Sequence, residues 1–126
     1  MSELARLAKP FPESLIQSLP GKGWSADYVS WSNVVEKLLA TLEHPPSWRT
    51  LECFEAGNRV FVLVRLVATV DGHEVTCEAT GEADGHDYLT AESRARCRCA
   101  ALIGCGTHLW SGKSYRLDQA LGATDD

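Results

Sequence analysis

The dipeptide Asp71-Gly72 separates two runs, Arg59 to Val70 and His73 to Glu82, that alternate with the two-residue period of a strand. Such a pair closes a tight antiparallel hairpin, because both residues tolerate the positive φ that a type I′ turn demands. A third run, Trp48 to Glu55, precedes them across Ala56-Gly57-Asn58, so the sequence predicts a three-stranded antiparallel meander. In the middle run Val60, Val62, Val64, Leu66 and Ala68 line one face. Phe61, Leu63 and Val67 make the other largely apolar too, which predicts that both faces are covered. The third run sets Val75, Cys77 and Ala79 against Glu74, Thr76, Glu78 and Thr80, so one of its faces is polar.

Helical periodicity brackets the meander. From Ser32 to Glu43, Val34, Val35, Leu38, Leu39 and Leu42 form one amphipathic stripe, ended by His44-Pro45-Pro46. After Asp84-Gly85-His86-Asp87 a second helix is expected over Thr90 to Ile103. Its stripe of Ala91, Ala95, Cys99 and Leu102 is narrow and mostly small, which permits close packing on the sheet. Upstream, Ser2 to Lys9 suits a short helix, Pro12 starts another, Pro20-Gly21-Lys22-Gly23 reads as a loop, and Ala26 to Ser30 as an extended entry. Cys105 to Trp110 turns back with apolar anchors. The expected fold class is therefore α+β, a three-stranded antiparallel meander packed with helices in the order α-β-β-β-α. Residues 1–110 form one domain and 111–126 a polar tail. A chain of 126 residues fits one domain. At this size much surface stays exposed, so partners can supply further burial.

Neither an apolar run of membrane-spanning length nor a secretory signal at Met1-Ser2-Glu3-Leu4 is found, so a soluble cytoplasmic protein is expected. The cysteines, Cys53, Cys77, Cys97, Cys99 and Cys105, are odd in number and lie inside predicted elements, which reads as reduced thiols. A formal net charge of −5 argues against coating nucleic acid by bulk charge. The charges are nonetheless segregated. Asp71 to Glu92 carries seven acids and no Lys or Arg, whereas Arg94, Arg96, Arg98, Lys113 and Arg116 follow with no acid among them. On a helix Arg94 and Arg98 fall one turn apart on one edge and suit adjacent phosphates, while Arg96 projects to nearly the opposite side. The plainer alternative is that all three are solvated or pair with acids of a neighbouring subunit.

Lys22, in its glycine-flanked loop, and Tyr28, near Trp24 and Trp31, are secondary candidates for contact with a strand. Trp48 and Trp110 read as packing residues. Cys97, Cys99, Cys105 and His108 superficially offer four zinc ligands, but residues two apart on a helix diverge by about 200°. Glu74 and Glu78 read as a solvated sheet face more readily than as divalent-ion ligands. His73, His86 and His108 lie near no recognisable nucleophile, and no phosphate-binding loop is present, so no enzyme and no cofactor are expected.

Several motifs, in order, resemble the Rad-fifty-two-like group of recombination proteins, including the phage Sak-type single-strand annealing proteins. They are Leu7-Ala8-Lys9-Pro10-Phe11-Pro12, a Pro-Gly loop, Tyr28-Val29 before a helix, Trp48 opening the first strand and the Asp71-Gly72 turn. A Gly-containing end to the third strand, Ala79 to Asp84, and Gly104-Cys105-Gly106-Thr107-His108-Leu109-Trp110 complete the set. The likeness spans Leu7 to Trp110, with His108 where the family has an aromatic. The family carries Lys-Arg-Ala in a basic groove shortly before Gly-x-Gly. This chain has Cys97-Arg98-Cys99 there, so Arg98 is carried over and the lysine is missing, with Arg94 and Arg96 as substitutes. The family's loop before the Tyr also lends the groove a basic residue, which points to Lys22 and Tyr28.

The resemblance implies a homo-oligomeric ring or helical filament, in a bacterial or phage-infected cell, that binds single-stranded DNA by its backbone. It would anneal complementary strands through duplex intermediates without ATP, with a single-strand binding protein as a possible partner. Two other classes remain open: a double-stranded-RNA-binding-like module of similar element order, and an oligomeric protein-interaction domain without annealing activity.

Overall fold

The computed structural model describes residues 1–21, 24–111 and 114–122, with the backbone alone for 19–21 and 24–26. Lys22 and Lys113 therefore lie outside the described residues.

The meander forms as its alternation requires. Strands β3 (Ser47–Ala56), β4 (Arg59–Val70) and β5 (His73–Asp84) make one antiparallel sheet in the order β3-β4-β5. Asp71 and Gly72 both take positive φ at the turn, 52° and 81°. The register sets Arg65 opposite Arg49 on one side and Glu78 on the other, with a bulge between Thr50 and Glu52.

Helix α3 (Tyr88–Leu102) lies along β4 and β5 on the face formed by Val60, Val62, Val64 and Leu66, all fully buried. Its start is fixed by Asp87, whose carboxylate accepts from the Thr90 N–H at 3.1 Å and the Thr90 hydroxyl at 2.6 Å. Ala91, Ala95 and Cys99 are buried as the small-residue stripe predicts. They come so near the sheet that a Cβ on Gly81 would overlap main-chain atoms of Ala91 and Ala95. Leu102, expected in the stripe, is instead exposed. The helix ends there, and Ile103 and Cys105 from the following turn are buried in its place.

Helix α2 (Trp31–Thr41) packs beside α3 through Val34 and Leu38, followed by buried Leu42, and Leu39 faces outward. Helix α1 (Glu3–Ala8) is tied to the β4–β5 turn by reciprocal bonds. Asp71 accepts from the Glu3 and Leu4 N–H groups at 2.7 and 3.1 Å, and Glu3 accepts from the N–H groups of Asp71 and Glu43, each at 2.6 Å. These bonds satisfy donors that a helix N-terminus leaves open.

Three further features of the fold revise or extend the sequence reading. First, Gln17–Gly21 and Trp24–Tyr28 pair as a separate antiparallel ribbon, β1 and β2, where a loop and a brief entry were expected. Proline is tolerated in so small and edge-like a sheet. Second, the face of β4 bearing Phe61, Leu63 and Val67 is not covered, because the helices pack on the opposite face and these side chains stand apart from the core. Third, part of the expected polar tail docks. After the short helix α4 (His108–Ser111), the Tyr115 hydroxyl donates to the Ala8 carbonyl, and α5 (Leu117–Ala120) sits near α1. Among the described residues no helix is long and apolar enough to cross a membrane.

Candidate nucleic-acid interface

Because α3 runs antiparallel along β5, residues one helical turn apart meet strand residues two apart. Arg94 donates through Nη1 to the Glu82 carbonyl at 2.8 Å, and Arg98 donates through Nη1 to the Thr80 carbonyl at 2.6 Å. These carbonyls face away from β4, so the two guanidiniums lie along the free edge of β5. Each bond uses one of the five N–H donors an arginine carries, which leaves others for an outside acceptor.

Trp110 completes this edge and corrects the sequence expectation that it is a packing residue. It is 62% exposed, and the Arg98 guanidinium carbon lies 5.7 Å from its ring centroid. In the single turn of α4, His108 and Leu109 are turned toward the protein, and a residue two positions after His108 must point elsewhere. An exposed indole under a guanidinium is a surface on which a base can stack beside a phosphate-binding group.

Arg96 occupies a different setting. Its guanidinium lies 5.6 Å from Trp31 and 5.8 Å from Trp48, whose rings meet edge-on at 5.1 Å. It pairs with Glu92 at 3.2 Å, and Glu92 accepts from the Thr50 hydroxyl at 2.9 Å. Its Nε is buried without a hydrogen-bond partner among the described residues. Arg96 thus ties α3 to α2 and β3, and the structure does not bring it to the edge held by Arg94 and Arg98. Trp48 packs as expected, and Trp31 joins it here rather than standing with Tyr28. Tyr28 is half-buried at the end of β2 opposite Gln17, with no described bond to any of the three arginines. Lys22 falls outside the described residues.

The two sequence segments at the ends of the resemblance pack against each other. Gly106 leaves room for the Phe11 ring, which lies 3.5 Å from where a Cβ would stand. The Phe11 N–H donates to His108 Nε2 at 3.0 Å, and the Lys37 ammonium lies 4.6 Å over the Phe11 ring while donating to the Lys9 carbonyl. His108 therefore accepts as a neutral ring protonated on Nδ1. Burial holds its pKa below the ordinary value of 6.5, the nearby Lys37 charge adds to this, and Asp118 opposes it.

The folded state thus binds fewer protons here than the unfolded chain does. The stabilisation is present above the unfolded pKa and is lost as pH falls through the folded one. Urea unfolding at about pH 7.5 and about pH 5 is expected to show lower stability at the acid value. In His108→Gln, which keeps an acceptor but cannot titrate, the difference should shrink. An unchanged difference would assign the pH dependence elsewhere.

The four residues considered as zinc ligands do not converge. Among the described residues no group of three or more His, Cys, Asp or Glu is placed to hold a metal ion. Burial pushes the thiols of Cys97 and Cys105 up to about 11, which keeps them protonated and poor as ligands or nucleophiles. The Cys99 thiol donates to the Val64 carbonyl at 3.5 Å, and that of Cys77 donates to the Cys99 carbonyl at 3.5 Å, so both are packing groups between helix and sheet.

No protein-family model matches the chain and no curated protein is significantly similar to it, so the family resemblance rests on the motifs quoted above.

Proposed function

We propose that this chain binds single-stranded DNA along the α3–β5 edge and anneals complementary strands without ATP, acting as a homo-oligomer and not as an enzyme. The observation that carries the reading is the alignment of Arg94 and Arg98 along the free edge of β5, with exposed Trp110 beneath Arg98. Contacts of this kind neutralise phosphates and lower the repulsion between two strands. They leave most base edges free to test a partner, and pairing itself supplies the driving force. The order of motifs shared with the Rad-fifty-two-like group points the same way.

Sheet edges at β3 and β5 support a head-to-tail assembly, which closes as a ring or continues as a filament. Arg94 and Arg98 occupy the carbonyls of Glu82 and Thr80, so a neighbour would pair with the other end of β5 or displace them. The same bonds favour a second reading, in which the arginines only guard an edge strand of an interaction domain.

Annealing of two complementary fluorescent oligonucleotides, without ATP or metal and at low and moderate salt, separates the two. Accelerated annealing that weakens with salt and is lost in Arg98→Ala is the expected result. No acceleration and no strand binding would refute it and leave the interaction domain in front.

A further inference from the structure

The uncovered sheet face is a feature that the proposed strand-binding edge does not use. Phe54 and Phe61 stack across β3 and β4 with ring centroids 5.1 Å apart and planes 11° from parallel, and Phe54 is 49% exposed. Leu63 and Val67 extend this apolar face along β4 on either side of Arg65, and none of these apolar side chains belongs to the core cluster.

The charges flanking the stripe are ordered in columns. On β5 the outward residues Glu74, Glu78 and Glu82 form an acidic column. On β3, Glu52 points outward level with Leu63 and Thr80, and Arg49 outward level with Arg65 and Glu78; Arg49 makes no hydrogen bond, ion pair or ring contact among the described residues. Arg65 is held by Glu78 at 2.9 Å, and Arg59 by Glu82 and Asp84 at 3.6 and 3.3 Å. A face on which acids flank the aromatic pair and two of its three bases are already paired repels phosphate, so nucleic acid is not its occupant.

We propose that this face pairs with the same face of a second copy, as a two-layer sandwich about a two-fold axis running along β4. The columns select that axis. A rotation about β4 lays the β5 column of one copy over β3 of the other and keeps each residue at its level along the strands. Glu78 then meets the partner's Arg49, and Leu63 and Phe61 meet their own counterparts across the axis; Arg65 and Arg59 also meet theirs, each already neutralised by an acid of its own copy. A two-fold axis across the strands would instead set the acidic column on itself. Sheets packed face to face in this way stand about 10 Å apart with strands inclined by roughly 30°. Three strands of this length present a face on the order of 40 Å by 15 Å, which hides on the order of 1,000 Å² in total, the low end for a specific interface. The pairing supplies the cover that the apolar alternation of β4 predicts and the chain itself does not give.

This inference does not rest on strand annealing, since Arg94, Arg98 and Trp110 are untouched by it. It is tested by sedimentation equilibrium of the full chain from micromolar to submillimolar concentration, with circular dichroism to confirm folding. A dimer or an even multiple is expected. Arg49→Glu, at an exposed side chain that is unpaired among the described residues, should raise the dissociation constant at least about tenfold. The double variant Arg49→Glu, Glu78→Arg should restore it, because Arg65 stands between the two positions and keeps an acid beside it. Phe54→Lys should weaken association independently. A monomer throughout, or folded variants that associate as the parent does, would overturn the proposal.

Discussion

Gly81→Ala is expected to lower the unfolding free energy by about 3 kcal/mol or more, read by urea denaturation followed by circular dichroism. A methyl group at this position would overlap the Ala91 carbonyl oxygen and the Ala95 nitrogen, both main-chain atoms of α3. No rotamer change relieves such a clash. Either the helix lifts from the sheet, opening space around Cys99 and Val64, or β5 shifts away from β4. With total stabilities commonly about 5–15 kcal/mol, the loss is a large share of what holds the domain together.

Gly57→Ala is the matched control. Gly57 takes a φ of 63° in an open turn, and nothing lies within 4 Å of where its Cβ would stand. Only the left-handed backbone penalty applies there, about 1–2 kcal/mol. Equal costs at the two sites would show that α3 does not seat on β5 at Gly81. The test bears on function as well, because the same seating places Arg94 and Arg98 against the β5 edge.

The meander was legible because two-residue alternation and an Asp-Gly turn are local signals, and the small stripe on α3 announced its close approach. The β1–β2 ribbon was not legible, since Pro20 and Gly21 argue for a loop unless the pairing partner is known. The second face of β4 was read correctly as apolar, but the cover expected on it is not supplied by the chain's own helices, because periodicity reports a surface and not what lies against it. Among the arginines, the 100° step of a helix separated Arg96 from Arg94 and Arg98. It did not reveal the Trp31–Trp48 setting, which is assembled from α2 and β3. Trp110 was missed for a similar reason. A tryptophan near the end of a fold is core by default, and only the short turn of α4, with His108 already committed to the Phe11 N–H, turns it outward.

That difference between the arginines leads to the largest functional effect expected. Arg94→Ala, Arg98→Ala together should weaken single-strand binding about a hundredfold at low salt, with each charge-assisted contact contributing about 1.5 kcal/mol. The plot of log affinity against log salt should become shallower by about 1.4, the value for two phosphate contacts on a single strand. Arg98→Lys keeps the charge and should retain most of the slope while losing affinity, because an ammonium cannot serve both the Thr80 carbonyl and a phosphate in the planar geometry of a guanidinium. Arg96→Ala should behave in the opposite sense. It removes a cation lying against two touching indoles and leaves Glu92 with the Thr50 hydroxyl alone, so stability should fall by about 1–2 kcal/mol. The salt slope should stay where it was. If Arg96→Ala flattens the slope and the double variant does not, the strand runs on the α2 side of the helix, and the edge built by Arg94, Arg98 and Trp110 is not the binding site.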